Sequence, residues 1–364
     1  MMKIVFTTNN RKHPFGGEID NQALGGSFIA MICFARSLAN YGHEVYSFQY
    51  CTQEEEVKKV KFIHRSHLEE FLRQNEVDVL IGGREIPIDR HFFKIKVMIY
   101  HGQQTEGAIR VRNLVKAIND KQIDHVFVVS NWHYQQWVGR IPQSKLHIVP
   151  NGFNLFPSKK KHRPLTLLWA SNPGRGLAFL VKEIFPRIQR IEKNIKLWVA
   201  GSYSMYSFNS QEAKRKDKGA YGCLFRNDVY GNRIKKGIKY FGPLTQIQLA
   251  DFFSQGTLLV YPLRNNSETG SIVTVQSLGY GTPAVVADRC VLPELVGKNE
   301  RGIVLEFEQG KDYNPDTWAI NILGLLRDKE RIIEMRNNCY SWRKNYLWKT
   351  IGERINLLLK ELIK

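Results

Sequence analysis

Cysteine is scarce in this chain, acidic residues are outnumbered, and long apolar runs are missing. Five cysteines stand in 364 residues, at 33, 51, 223, 290 and 339. They are odd in number, scattered and never spaced as CxxC. That argues against a disulfide framework and a zinc site, and for a reducing compartment. No window reaches the roughly 18–20 apolar residues needed to span a bilayer. The opening MMKIVFTTNN carries one Lys and a strand-like run, without the apolar stretch of a secretory signal. A cytoplasmic protein is expected.

Asp and Glu number 34 against 53 Lys and Arg, a formal charge of +19. Such an excess asks for an acidic partner: nucleic acid, an anionic membrane surface or a phosphate-bearing substrate. The cations gather at KKVKFIHR (58–65), KKKHR (159–163), KRKDK (214–218) and RIKKGIK (233–239). Taken singly, each reads as a solvated surface. No zinc-finger, RRM or KH signature accompanies them, so nucleic acid has only the charge in its favour and is not expected. What the chain does have is 43% hydrophobic and 12% aromatic content, which describes a folded protein. Its length exceeds one ordinary core and points to two domains.

Strand-like runs alternate with helical patterns, and the series occurs twice. The first holds KIVFTT (3–8), a helix at 27–40, EVYSF (44–48), VDVLIG (77–82), KVMIY (96–100), HVFVVS (125–130) and LHIVP (146–150). FNLFPSKKKHRP reads as a linker. The second holds LTLLWA (165–170), a helix near 176–193, IKLWVAG (195–201), IKYFG (238–242), a helix near 245–255, TLLVYP (257–262) and PAVVA (283–287). Alternation of this kind means parallel, doubly wound α/β sheets. Two Rossmann-like domains facing a central cleft follow, over 1–155 and 156–340, with ligands at the carboxyl ends of strands. Residues 203–236 fit neither series and read as an insertion, either mobile or a disordered surface loop. The tail 341–364 carries Trp348, Ile351, Ile355, Leu358, Leu359 and Ile363 at helical spacing. It is either a helix packing back on the N-terminal domain or one lying on a membrane surface.

Ser267 to Pro283, SETGSIVTVQSLGYGTP, follows the strand TLLVYP and runs into a short apolar helix. Unpaired first-turn N–H groups and the positive dipole end there suit phosphate oxygens. Thr269 or Ser271 can cap the helix, and Gly270 lets a ligand approach the backbone. Glu268 lies just outside that end, able to accept from ligand hydroxyls. Gln276 lies about two turns in, on roughly the same face.

The segment ETGSIVTVQSLGYGTPAVVAD with LPELV resembles the Glu-x7-Glu signature of retaining family 4 glycosyltransferases, the glycosyl transferases group 1, which have the GT-B fold. The resemblance implies that Glu268 contacts the donor sugar and that Gln276, replacing the second Glu, contacts the ribose as a neutral amide. GGSFIAMICFARSLANYGHEV resembles the family's first loop and helix, which implies that Gly25 and Gly26 touch the donor. VMIYHGQQ places His101 where the family has a His close to the transferred sugar. HVFVVSNWHYQQWV and KLHIVPNGFN are similar to the strand end and interdomain segment, with Asn154 where Asp is usual. The resemblance sets Ser27 and Ser130 on the acceptor side. LLWASNPGRGLAFLVKEIFPRI resembles the donor-phosphate loop. Arg175 then serves as diphosphate clamp, and Ser171 stands where a second Arg is usual.

These matches together imply a metal-independent hexosyl- or pentosyltransferase with no cofactor. Its donor would be a nucleotide-diphosphate sugar of UDP or GDP type, and its acceptor a glycan or lipid-linked molecule, with peripheral contact to anionic membrane. The alternative is a catalytically weak sugar-nucleotide or glycan-binding protein of the same fold, motivated by Gln276 and Ser171.

Overall fold

The computed structural model describes residues 1–8, 16–83, 93–102, 108–158, 161–205, 210–228, 231–264, 268–306 and 314–364. Gln103 and Gln104, Lys159 and Lys160, Asn265 to Ser267, and residues 206–209 and 229–230 of the insertion lie outside them. The chain divides into two compact units. One comprises Met1–Ile19, Leu24–Gly152 and Asn345–Lys364, the other Asp20–Ala23 and Phe153–Lys344.

The first unit is built on β1 (Lys3–Thr8), β2 (Glu44–Gln49), β3 (Glu55–Val57), β4 (Val60–His64), β5 (Val77–Gly83), β6 (Phe93–Ile99), β7 (His125–Val128) and β8 (Leu146–Ile148). They form one sheet in the order β3-β4-β2-β1-β5-β6-β7-β8. Every pair is parallel except β3 with β4. In β1, Ile4, Val5 and Phe6 are all buried, as a strand covered on both faces requires. One cluster joins Val5, Phe48, Leu68, Leu72 and Leu80, and another joins Leu114, Ile118, Val126, Trp137 and Leu146.

The cationic stretch 58–65 contains β4. Val60 and Phe62 point inward, while Lys61 reaches Glu44 at 3.4 Å on the outer side. The charges there decorate a strand instead of making a separate patch.

The tail forms the helix Trp348–Leu362, which packs on the first unit against the helix Gly26–Asn40. Trp348, Ile351, Ile355 and Leu359 are buried in that contact, so the stripe offered to a membrane is already used. Leu358 and Ile363 are only partly covered. A Cβ at Gly352 would stand 2.6 Å from the Ser37 Cβ, so the two helices approach as closely as they do only with glycine there. His43 accepts from the Met2 N–H through Nδ1 at 3.2 Å. Its Nε2 therefore donates to Asn356 Oδ1 at 2.8 Å, tying the tail to the start of the sheet.

The second unit contains β9 (Thr166–Ala170), β10 (Lys196–Ala200), β11 (Phe225–Asp228), β12 (Gly231–Ile234), β13 (Ile238–Tyr240), β14 (Leu258–Tyr261), β15 (Ala284–Ala287) and β16 (Gly302–Leu305). Six of these make a parallel sheet in the order β13-β10-β9-β14-β15-β16. The direction of winding reverses between β9 and β14, and such switch points open a crevice at the strands' carboxyl ends.

The helix expected near 176–193 is interrupted. Leu177–Phe179 and Phe185–Ile191 flank a widened, π-type turn at Leu180–Ile184. Pro186 explains the break, because its ring would clash with the carbonyl four residues back and it donates no N–H.

The insertion is also more ordered than its sequence suggests. Ser210–Tyr221 forms a helix and β11 pairs with β12 as an antiparallel hairpin. Asp217 holds this helix to the end of β10 by accepting from Ser202 Oγ at 2.5 Å and from the Tyr203 N–H at 2.7 Å.

Candidate active site

At the carboxyl end of β9 the chain passes through Ser171 into the tight turn Pro173–Arg175. Asn172 shapes this turn by accepting from the Gly174 N–H at 3.0 Å. Gly176 follows with φ 104°, a conformation that favours glycine, and it lies against the Pro262 carbonyl at the end of β14. The Arg175 loop is thereby pressed onto the neighbouring strand end.

Tyr261, the last residue of β14, is fully buried. Its hydroxyl donates to Glu268 Oε2 at 2.7 Å, and Arg175 Nη1 donates to Glu268 Oε1 at 2.6 Å. Ser171 Oγ lies 2.9 Å from the Tyr261 oxygen. The phenol has one proton and gives it to the carboxylate, so Ser171 is the donor in that pair. A chain Ser171→Tyr261→Glu268←Arg175 results. Burial, followed by the charge of Glu268, raises the Tyr261 phenol well above its usual range, which keeps it a donor. Glu268 is buried while Arg175 stays partly exposed, so the guanidinium is the member of the pair that a ligand can reach. The Glu268 carbonyl also accepts from the Val291 N–H at 3.4 Å, fixing the loop to the turn before the helix Leu292–Val296.

Thr269 and Gly270 lead to Ser271, the N-cap position of the helix Ile272–Gly279. Ser271 does not make a hydroxyl cap. With φ −27° and ψ 85°, Ser271 departs from the extended conformation that swings a side chain over the first turn, and its Oγ meets Thr274 Oγ1 at 2.9 Å instead. Ser271 thus leaves the positive end of this helix, beside Glu268, without a cap from its own side chain. Gln276 is buried, and its amide donates to Gln246 Oε1, at the start of the helix Gln246–Gln255, at 2.7 Å.

Ser171, Arg175, Glu268 and the residues 269–271 thus converge at the switch point, and Gln276 is engaged instead in a pair with Gln246. The other sequence candidates belong to the first unit. Gly25 is the N-cap of the helix Gly26–Asn40 with φ −64° and ψ 146°, a conformation open to any residue, and Ser27 lies half-buried in its first turn. His101 follows β6, with Nε2 3.3 Å from Asn151 Oδ1. Ser130 caps the helix Asn131–Gln135 by accepting from the His133 N–H at 3.0 Å.

His133 escaped the sequence reading. Its Nδ1 accepts from the Val129 N–H at 3.3 Å and its Nε2 donates to the Gly102 carbonyl at 2.7 Å. Burial chiefly, with the charge of His101 adding to it, lowers its pKa to about 4, so it is a neutral strut under the loop that carries His101. Tyr261 and Gln246 were missed as well. A tyrosine ending an apolar strand just before an anion-suited loop is the signal that would have found the first. Among the described residues no group of three or more His, Cys, Asp or Glu is placed to hold a metal ion.

No curated protein sequence matches the chain. Solved structures do match along its whole length. Sucrose-phosphate synthase from Thermosynechococcus elongatus superposes with a TM-score of 0.71 at 15% identity, covering 100% of this chain and 99% of that one. A glycosyltransferase from Rickettsia africae gives 0.70 at 12% identity, covering 100% and 99%. Anabaena Alr3699/HepE, in complex with UDP, gives 0.68 at 13% identity, covering 99% and 100%. The fold is therefore GT-B. Residues 165–328 match the family model for glycosyl transferases group 1, and the Ser171–Tyr261–Glu268–Arg175 chain lies within that match.

Proposed function

We propose that this protein is a retaining, metal-independent glycosyltransferase that moves a hexose or pentose from a UDP- or GDP-type sugar to a glycan or lipid-linked acceptor. The observation that carries the reading is the pairing of partly exposed Arg175 with buried Glu268 at the switch point of the second sheet, just ahead of the helix Ile272–Gly279. Arg175 and the backbone N–H groups at 269–271 are assigned to the donor diphosphate. Negative charge grows on that diphosphate as the sugar's C1–O bond breaks, and fixed donors aimed at it stabilise the transition state. Glu268 accepts from sugar hydroxyls, and His101 is assigned to orienting the sugar. The acceptor hydroxyl attacks C1 from the leaving-group face, and its proton passes to the departing phosphate oxygen. The net result is one glycosidic bond exchanged for another with retention. A UDP-bound neighbour and the family match support a nucleotide-sugar donor.

Turnover of a panel of UDP- and GDP-sugars, followed by nucleoside diphosphate release, tests this reading. Wild type should turn over at least one, and Glu268→Gln should cut that activity severely, to a residual but measurable rate, while still binding the nucleoside diphosphate. A second reading, binding without catalysis, is favoured by the internal Gln276–Gln246 pair, which occupies the proposed ribose contact. Tight nucleotide-sugar binding with no turnover under any acceptor would establish it.

A further inference from the structure

The two oxygens of Glu268 are held unequally. Oε1 is held by Arg175, which is partly exposed, whereas Oε2 is held by Tyr261, which is fully buried and braced by Ser171. A nucleoside diphosphate brings several negative charges and competes with a single carboxylate for the guanidinium. Fork-shaped, charge-assisted bonds to phosphate are the geometry arginine serves best. Once Arg175 turns to the phosphates, Oε1 is released to accept from a ligand hydroxyl. Oε2 keeps its bond to Tyr261, because that phenol has no route to solvent.

We propose that Tyr261 is a positioning residue that holds Glu268 in place while Arg175 exchanges the carboxylate for the donor diphosphate. The inference rests on the donor-site reading above and adds the order of events within it. Empty, the site stores Arg175 and Glu268 as a pair, which spares a buried carboxylate from standing without a cation. Occupied, it frees one oxygen of Glu268 only when the diphosphate is present. Ser171 acquires a role on this view. It orients the Tyr261 hydroxyl toward Glu268, where a larger cationic side chain would take the carboxylate for itself.

The test is a double-mutant cycle read by kcat for nucleotide-sugar turnover and by calorimetry with UDP and GDP. Tyr261→Phe removes one hydroxyl and keeps the ring. It should lower kcat about tenfold, the scale of one hydrogen bond to a charged group. UDP or GDP affinity should stay within about threefold. In a Glu268→Gln background the same change should have almost no further effect, since Tyr261 acts through that carboxylate. Glu268→Gln alone should tighten the nucleoside diphosphate several-fold, because Arg175 no longer has a carboxylate to leave. Wild-type kcat in Tyr261→Phe, equal losses in both backgrounds, or weaker diphosphate binding in Glu268→Gln would overturn the proposal. Should Tyr261→Phe fail to fold, Ser171→Ala must show a smaller kcat loss that likewise vanishes with Glu268→Gln, and an undiminished loss there overturns the proposal equally. A wild type that binds neither UDP nor GDP would be a different result, bringing down the donor-site reading itself.

Discussion

Replacing Gly176 by Ala tests whether the close approach of the Arg175 loop to β14 builds the site. Gly176 has φ 104°, and an added Cβ would overlap the Pro262 carbonyl oxygen and stand 2.9 Å from its carbon. A left-handed conformation costs a residue with a Cβ about 1–2 kcal/mol. Forcing a methyl into a packed backbone contact adds about 1–3 kcal/mol. The sum, about 2–5 kcal/mol, can be relieved only by moving residues 173–176 away from the strand, because Pro262 is continuous with buried β14. That movement draws Arg175 from Glu268, whose separation is now 2.6 Å. Denaturant unfolding should show the loss, and calorimetry should show nucleoside diphosphate binding weakened about tenfold, the equivalent of one charge-assisted bond. A variant with wild-type unfolding midpoint and wild-type affinity would refute the argument that this contact positions the clamp.

Other outcomes follow from the same geometry. Arg175→Ala should weaken a nucleoside diphosphate by about 1.5–3 kcal/mol and a nucleoside hardly at all, and calorimetry showing equal losses would remove the phosphate role. Gln276→Ala should cost a ribonucleotide several-fold and spare its 2′-deoxy analogue, whereas equal losses would leave Gln276 as a packing partner of Gln246. His133 is pushed from 6.5 to about 4 chiefly by burial, so the folded chain binds fewer protons than the unfolded one between those values. Stability should therefore fall as pH drops from 6.5 through 4, by up to about 3 kcal/mol, and His133→Gln should flatten that slope by nearly one proton. Ile351→Ala should destabilise the protein by about 2–5 kcal/mol, and an unchanged melting temperature would contradict the buried placement of the tail helix.

Periodicity and charge make much of the fold legible in the sequence. Continuous apolar runs such as KIVFTT and LLVY marked both parallel sheets, because strands buried on each face need no polar alternation. The anion-suited loop at 268–271 was visible from residue type, whereas the Arg–Gly turn at 175–176 was marked by its resemblance to a donor-phosphate loop. Tyr261 was not, since at the end of an apolar strand it reads as one more buried ring, and its hydroxyl matters only because Glu268 folds back onto it. Gln246 pairs with Gln276 across 30 residues of chain, a contact no local pattern encodes. The basic segments 58–65 and 210–221 concealed a strand and a helix. Their inward positions, Val60 and Phe62 or Ala213 and Tyr221, are few beside the lysines that cover the outer face. The tail showed its apolar stripe, but what the stripe packs on depends on Gly352 and on the His43–Asn356 bond, which only the folded chain brings together.

The central claim is that the crevice around Glu268 takes a nucleotide-diphosphate sugar and transfers the sugar. It is met most directly by incubating the wild-type protein with UDP- and GDP-sugars, with and without lipid-linked and soluble glycan acceptors, and measuring glycosylated product alongside released nucleoside diphosphate. The account predicts product and nucleoside diphosphate in equal amounts for one donor, with both severely reduced in Glu268→Gln. Undiminished product formation by Glu268→Gln, or no saturable binding of any nucleotide sugar by wild type, would contradict it.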